Sequence, residues 1–139
     1  MSDKIFLDSN IIIYAYDKSD PERQKKAQQI LKEVFQNENG ILSPQVFSEF
    51  FVVVTRKIKN PLSSIDAKTI ISSLSFLQVE EIDLTLVKRA IETHIQFKIS
   101  YWDSLIISTA ERAACNIILS EDLNHGQIIN GVEINNPFV

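Results

Sequence analysis

The sequence predicts an α/β fold: a mainly parallel central sheet with helices on both faces. Two observations carry that reading. The apolar triplets Ile5-Phe6-Leu7 and Ile117-Ile118-Leu119 each run straight into polar or acidic residues, as short strands buried on both faces do. Between them lie segments whose apolar residues recur at helical spacing, and strands separated by helices pair in parallel. A chain of 139 residues, 45% hydrophobic and 23% charged, is expected to form one domain over residues 1–139 with a substantial core.

The first triplet stops on Asp8, and Ser9-Asn10 leads at once into Ile11-Ile12-Ile13-Tyr14-Ala15-Tyr16. A strand ending in Asp before an apolar helix sets that Asp at the carboxyl edge of a sheet, where open α/β folds bind ligands. Asp8 has a second reading as the N-cap of that helix. Asp20-Pro21 then starts a helix to about Glu38, with Ala27, Ile30, Leu31, Val34 and Phe35 on one stripe. Arg23, Lys25, Lys26 and Lys32 lie mostly off it and read as a solvated face.

Asn39-Gly40 ends this helix, Ile41-Leu42 is a second short strand, and Ser43-Pro44 starts a helix to about Lys59. Within its apolar surface, beside Phe47, Phe50 and Phe51, sits Glu49, about a turn and a half in. Arg56, Lys57 and Lys59 close the helix, which suits its dipole without any ligand. After the loop at Pro61–Ser64 comes a helix to about Leu77, then a weak strand over Val79–Ile82. Asp83 caps a helix through Phe97; its His94, with no second histidine within a turn, reads as a core or half-buried residue and not a metal ligand.

Ser100 and Asp103 have the spacing of a capping box, with Asp where Glu or Gln is usual, so capping competes with function as a reading of Asp103. The helix they begin carries Leu105-Ile106-Ile107 and Ala110, and Cys115 near its end reads as a buried, inert thiol. Ile117-Ile118-Leu119 runs into Ser120-Glu121-Asp122. His125-Gly126 is loop, and Val132-Glu133-Ile134 is expected to be the last, edge strand.

Asp8 and Asp122 therefore repeat one pattern, a short buried strand followed by a carboxylate, and Glu49 and Asp103 lie near the starts of helices that can face the same edge. Four such acids repel one another: at an effective dielectric of about 20, two charges 4 Å apart cost roughly 4 kcal/mol. A divalent cation relieves that repulsion. Oxygen donors, with neither paired histidines nor a cysteine motif, select magnesium or manganese, as one ion or two. The matching chemistry is metal-assisted hydrolysis of a phosphodiester.

Leu7-Asp8-Ser9-Asn10-Ile11, Ser48-Glu49-Phe50, Tyr101-Trp102-Asp103-Ser104-Leu105-Ile106 and Leu119-Ser120-Glu121-Asp122-Leu123 resemble, in order, the four acidic motifs of the PIN domain. The size and layout resemble ribonuclease toxins of the VapC type. The resemblance implies a three-layer α/β/α sandwich and a Mg2+- or Mn2+-dependent endoribonuclease leaving 3′-hydroxyl and 5′-phosphate ends. It carries Asp8, Glu49, Asp103 and Asp122 over as the catalytic and metal-binding acids, with Ser9, Asn10 and Ser120 supporting them. The motif aligns its last acid on Asp122, which leaves the role of Glu121 open. Trp102 is bulkier than the residues common beside the third acid, which bears on the cleft rim or a dimer contact. The partners implied are an RNA substrate, an antitoxin protein and a second copy in a homodimer.

Other functions fit less well. A phosphatase of the haloacid dehalogenase type needs a second Asp where this chain has Asn10, and a receiver domain needs a Lys after a late strand. Gly40, Gly126 and Gly131 are scattered and form no phosphate-binding loop. The net charge of −4 argues against gripping nucleic acid by bulk electrostatics. A single cysteine, no recognisable leader and no apolar run near the roughly 18 residues of a membrane span make the cytoplasm the expected location. The alternative within the same fold is a catalytically silent module that binds RNA or protein.

Overall fold

Asp8 and Asp122 follow very short strands whose buried side chains leave them no freedom of register. In the computed structural model, which describes residues 3–139, β1 (Ile5–Leu7) lies between β2 (Gly40–Leu42) and β4 (Ile117–Leu119), parallel to both. Phe6, Ile41, Leu42 and Ile118 are fully or almost fully buried. A one-residue slip would expose this set to the wrong face, so the register is strongly specified. The sheet has six strands in the order β3-β2-β1-β4-β6-β5, with β3 at Gln78–Val79, β5 at Ile128–Ile129 and β6 at Val132–Asn135. Among the described residues only the β5–β6 pair is antiparallel.

The helices are α1 (Ser9–Ala15), α2 (Pro21–Asn37), α3 (Pro44–Arg56), α4 (Ser64–Leu74), α5 (Leu84–Phe97) and α6 (Tyr101–Arg112). The connections β1 to β2 and β2 to β3 progress toward one edge of the sheet, whereas β3 to β4 runs back across it. Right-handed crossovers then put α1 to α4 over one face and α5 and α6 over the other. The packing agrees: α1 lies against α2 and α3, α3 against α4, and α5 against α6. This is a three-layer α/β/α sandwich. The direction of travel reverses between β1 and β4, which is where an open parallel sheet forms a crevice at its carboxyl edge.

Several local expectations need correction. Val132–Asn135 is an inner strand, parallel to β4 on one side, and the edge belongs to β5. Asn130 (φ 52°) and Gly131 (φ 82°) form the turn that folds β5 back onto β6; Asn-Gly between apolar residues is a strong hairpin signal in a stretch to which the sequence reading assigned no element. The third strand covers Gln78–Val79 and stops before Ile82. Helices α3 and α4 end at Arg56 and Leu74, short of Lys59 and Leu77. Phe35 is 40% exposed despite its stripe. His94 is exposed, because it lies at the free end of α5, where its ring bonds the Ile99 carbonyl. Cys115 is buried, and that burial pushes its thiol up to about 12. No helix among the described residues is long and apolar enough to cross a membrane.

Candidate active site

Asp8 is the fixed point of the crevice. Its backbone N–H donates to the Leu119 carbonyl at 3.0 Å, continuing the β1–β4 ladder by one residue. Its side chain is 5% exposed. The Ser9 backbone N–H donates to Oδ1 at 2.7 Å, and the Ser120 hydroxyl donates to Oδ2 at 2.7 Å. Asp8 is thus the N-cap of α1, and the capping and cleft positions coincide on one residue. Burial dominates its electrostatics and pushes the carboxyl up to about 6; the hydrogen bonds from Ser120 and Ser9 pull it down, and the charges of Asp122 and Asp103 push it up further.

Ser120 and Asn10 connect this carboxylate to the next acid. The Ser120 hydroxyl accepts from the Asp122 backbone N–H at 3.1 Å and from Asn10 Nδ2 at 3.4 Å. Asn10 Nδ2 also donates to Asp122 Oδ2 at 3.1 Å, while Asn10 Oδ1 accepts from the Glu121 N–H at 3.2 Å. One amide therefore spans the turn after β4 from the first turn of α1. Glu121 leaves this network by its side chain: Arg23 Nη2 of α2 donates to its carboxylate at 3.0 Å.

Glu49 stands on the open wall formed by α3, and its residue surface is exposed. Its carboxyl is nevertheless pushed up to about 7, first by desolvation and then by the charge of Asp8, with Asp103 and Asp122 adding to the rise and the Ser9 hydroxyl opposing it. The exposed stem and the desolvated carboxyl agree if the head leans into the cleft while the rest faces solvent. Asp103, on the first turn of α6, is half-buried. The Ser100 hydroxyl accepts from the Asp103 backbone N–H at 3.1 Å, but among the described residues no hydrogen bond returns from Ser100 to the Asp103 carboxylate. Only half of the capping box forms. The Asp103 carboxylate is free of it.

The four acids thus act electrostatically on one crevice, and among the described residues burial, hydrogen bonds and the other acids dominate the shifts of Asp8 and Glu49. Among the described residues they do not converge as three ligands on one point. The donor set still fits a hard divalent cation: it is all oxygen and net negative, and burial and neighbouring charge hold Asp8 and Glu49 above the usual carboxylate range.

A groove of about 900 Å³ opens from this crevice. Ile13, Val53, Val87 and Leu105 line it, Asp122 and Glu49 stand at its acidic end, and Lys57 lies at the end of α3. Trp102, 62% exposed, forms part of its rim, so its bulk does shape the cleft mouth. Sequence reasoning missed Gln45. Its buried side chain donates through Nε2 to the Trp102 carbonyl at 3.2 Å, tying the start of α3 to the start of α6, and its Oε1 has no hydrogen-bond partner among the described residues. Only its place next to Ser43-Pro44 hinted at it.

The family model of the PIN domain matches residues 5–128, a span that takes in all four acids and the whole crevice. The chain belongs to the PIN-domain family. Solved PIN-like structures share its fold at low identity. The sarcin–ricin-loop-cleaving toxin VapC20 of Mycobacterium tuberculosis superposes with a TM-score of 0.66 at 18% identity, over 86% of this chain and 90% of that one. A toxin–antitoxin complex from Klebsiella pneumoniae gives 0.72 at 17% identity, over 96% and 98%. The DNA-bound VapBC complex of Salmonella typhimurium gives 0.70 at 15% identity, over 98% and 99%. Among curated protein sequences, none matches.

Proposed function

We propose that this PIN domain is a Mg2+- or Mn2+-dependent endoribonuclease and the toxin of a toxin–antitoxin pair. The observation that carries the proposal is Asp8, a buried carboxylate at the sheet's switch point with three further acids acting on its crevice; among the described residues none of the four is ion-paired to a lysine or arginine. Asp8, Glu49, Asp103 and Asp122 would hold one or two ions. A divalent cation, when bound, supplies charge neutralisation and activation of water for phosphodiester hydrolysis. The chain's own residues do the rest. Ser9 and Ser120 fix the Asp8 oxygens, Asn10 orients Asp122, and Glu121 is held aside by Arg23.

The toxin reading is supported by the shared fold with toxin–antitoxin complexes and by the apolar groove that ends at the acids. An antitoxin segment fills such a groove with apolar side chains and places an arginine among the carboxylates. The exposed Leu84, Ile91 and Ile95 on α5 suit a homodimer contact. The cytoplasm, where RNA and antitoxin meet the chain, is the proposed location.

The deciding experiment incubates labelled RNA with the purified protein and Mn2+ or Mg2+, with EDTA and Asp8→Asn as controls. Cleavage that needs both the metal and Asp8 is expected. RNA binding without metal-dependent cleavage would replace the nuclease with the catalytically silent module. Co-expression with the neighbouring gene product should yield a stable, inactive complex; unimpaired growth when the chain is expressed alone would remove the toxin role.

A further inference from the structure

Two adjacent acids follow β4, and they point into different environments. Asp122 lines the groove and receives the Asn10 amide, while Glu121 meets Arg23 on the other side of the turn. Arg23 is itself constrained. Its guanidinium lies 5.5 Å from the Tyr14 ring centroid and 5.6 Å from that of Phe138, and those two rings pack edge to face at 5.2 Å. It also bonds Asp20, the N-cap of α2, at 3.2 Å. The Tyr14 hydroxyl is pushed up to about 12, by burial first and then by Glu121 beside it. An exposed ion pair alone is worth little. Here the cation is also stacked on aromatic faces and joined to a helix start, so the guanidinium fork has one well-defined position.

We propose that Arg23 is a positioning residue for the acidic crevice: by pinning Glu121 against α2, it fixes the Ser120–Asp122 turn so that Asp122, and not its neighbour, faces Asp8. The chain links are short. Glu121 gives its N–H to Asn10 Oδ1, Asp122 gives its N–H to Ser120 Oγ, and Ser120 holds Asp8. Releasing Glu121 lets the turn move, and a second carboxylate can then compete for the crevice. The inference rests on the metal-site reading for its functional half only.

The test therefore has a readout that needs neither metal nor RNA. In EDTA, amide hydrogen exchange at Glu121 and Asp122 should quicken about tenfold in Arg23→Ala, and also in Arg23→Met, which keeps the aliphatic stem over the rings. Exchange in β1 and β2 should stay unchanged, which shows that the fold is intact. In the Mn2+ thermal titration, both variants should bind about tenfold more weakly, the usual penalty for losing a group that orients a metal ligand. Arg23→Lys, which keeps the charge and loses the planar fork, should give effects intermediate between wild type and Arg23→Ala. Adding Arg23→Ala to Glu121→Ala should change little further, because the two act as one unit. Unchanged exchange at Glu121 and Asp122 in both Arg23 variants overturns the proposal, whatever the activity. Fast exchange with wild-type Mn2+ affinity overturns the link to the crevice. A wild type that neither binds Mn2+ nor cleaves RNA, with exchange responding as expected, instead refutes the nuclease reading, and the functional half of the clamp with it.

Discussion

Replacing Asp8 by Asn removes one charge and almost no volume, and the structure sets the size of the response. With its carboxyl raised from 3.8 to about 6, metal-free ionised Asp8 destabilises the folded state by about 3 kcal/mol at pH above the shift. The amide removes that penalty. It also mismatches one bond, because Ser9 N–H and the Ser120 hydroxyl both donate to Asp8 and an amide has a single oxygen; that costs about 1–2 kcal/mol. Metal-free Asp8→Asn should therefore be more stable than wild type by about 1–2 kcal/mol at neutral pH, or roughly 3–6 °C in Tm. The pH dependence has a definite sign. Asp8 and Glu49 titrate at about 6 and about 7 when folded. The folded chain thus keeps protons that the unfolded chain has released. This stabilisation is full below about pH 4 and is lost as pH rises through 6 and 7. In EDTA, wild-type Tm should fall across that range, and the variant should keep only the shallower part due to Glu49. Saturating Mn2+ should stabilise the wild type by about 2.7 kcal/mol at a hundredfold excess over Kd and so raise its Tm, and should raise the variant's much less. Thermal melts from pH 4 to 8, with and without metal, measure all of this. A metal-free variant less stable than wild type at pH 7.5, or one with an undiminished metal shift and wild-type cleavage, would refute the reasoning.

Asp103→Asn should abolish RNA cleavage with little change in Tm, whereas Ser100→Ala should lose about 1 kcal/mol of stability and keep cleavage, since the hydroxyl alone makes the cap; equal activity losses, measured below both melting points, would return Asp103 to a capping role. Gly40→Ala should cost about 1–3 kcal/mol in denaturant unfolding, because its Cβ would meet Val34 side-chain carbons at 3.0 Å and Leu77 Cδ1 at 3.2 Å inside the core. Gly131→Ala should cost about 1 kcal/mol despite open space around it, through its φ of 82° in the hairpin turn; no loss in either variant would mean that the sheet is not packed as described.

The sequence by itself determined the order of the main elements and the acids that follow them. Triplets such as Ile5-Phe6-Leu7 are legible because a strand buried on both faces needs unbroken apolar residues, and caps such as Ser43-Pro44 are legible because helix starts use local chemistry. Asp8, Glu49, Asp103 and Asp122 were visible as acids placed against that pattern. The Asn130-Gly131 hairpin was equally local and went unread. Other features had no local signature. That β6 lies inside the sheet depends on which strands pair across the fold. That Asp103's carboxylate stays out of the capping box, and that Asn10 reaches across 112 residues to Asp122, depends on side chains brought together only by packing. The division between Glu121 and Asp122 is of the same kind. Both are acids after the same strand, and only packing brings Arg23 of a separate helix, set against two rings from distant parts of the chain, to Glu121 while Asp122 lines the groove.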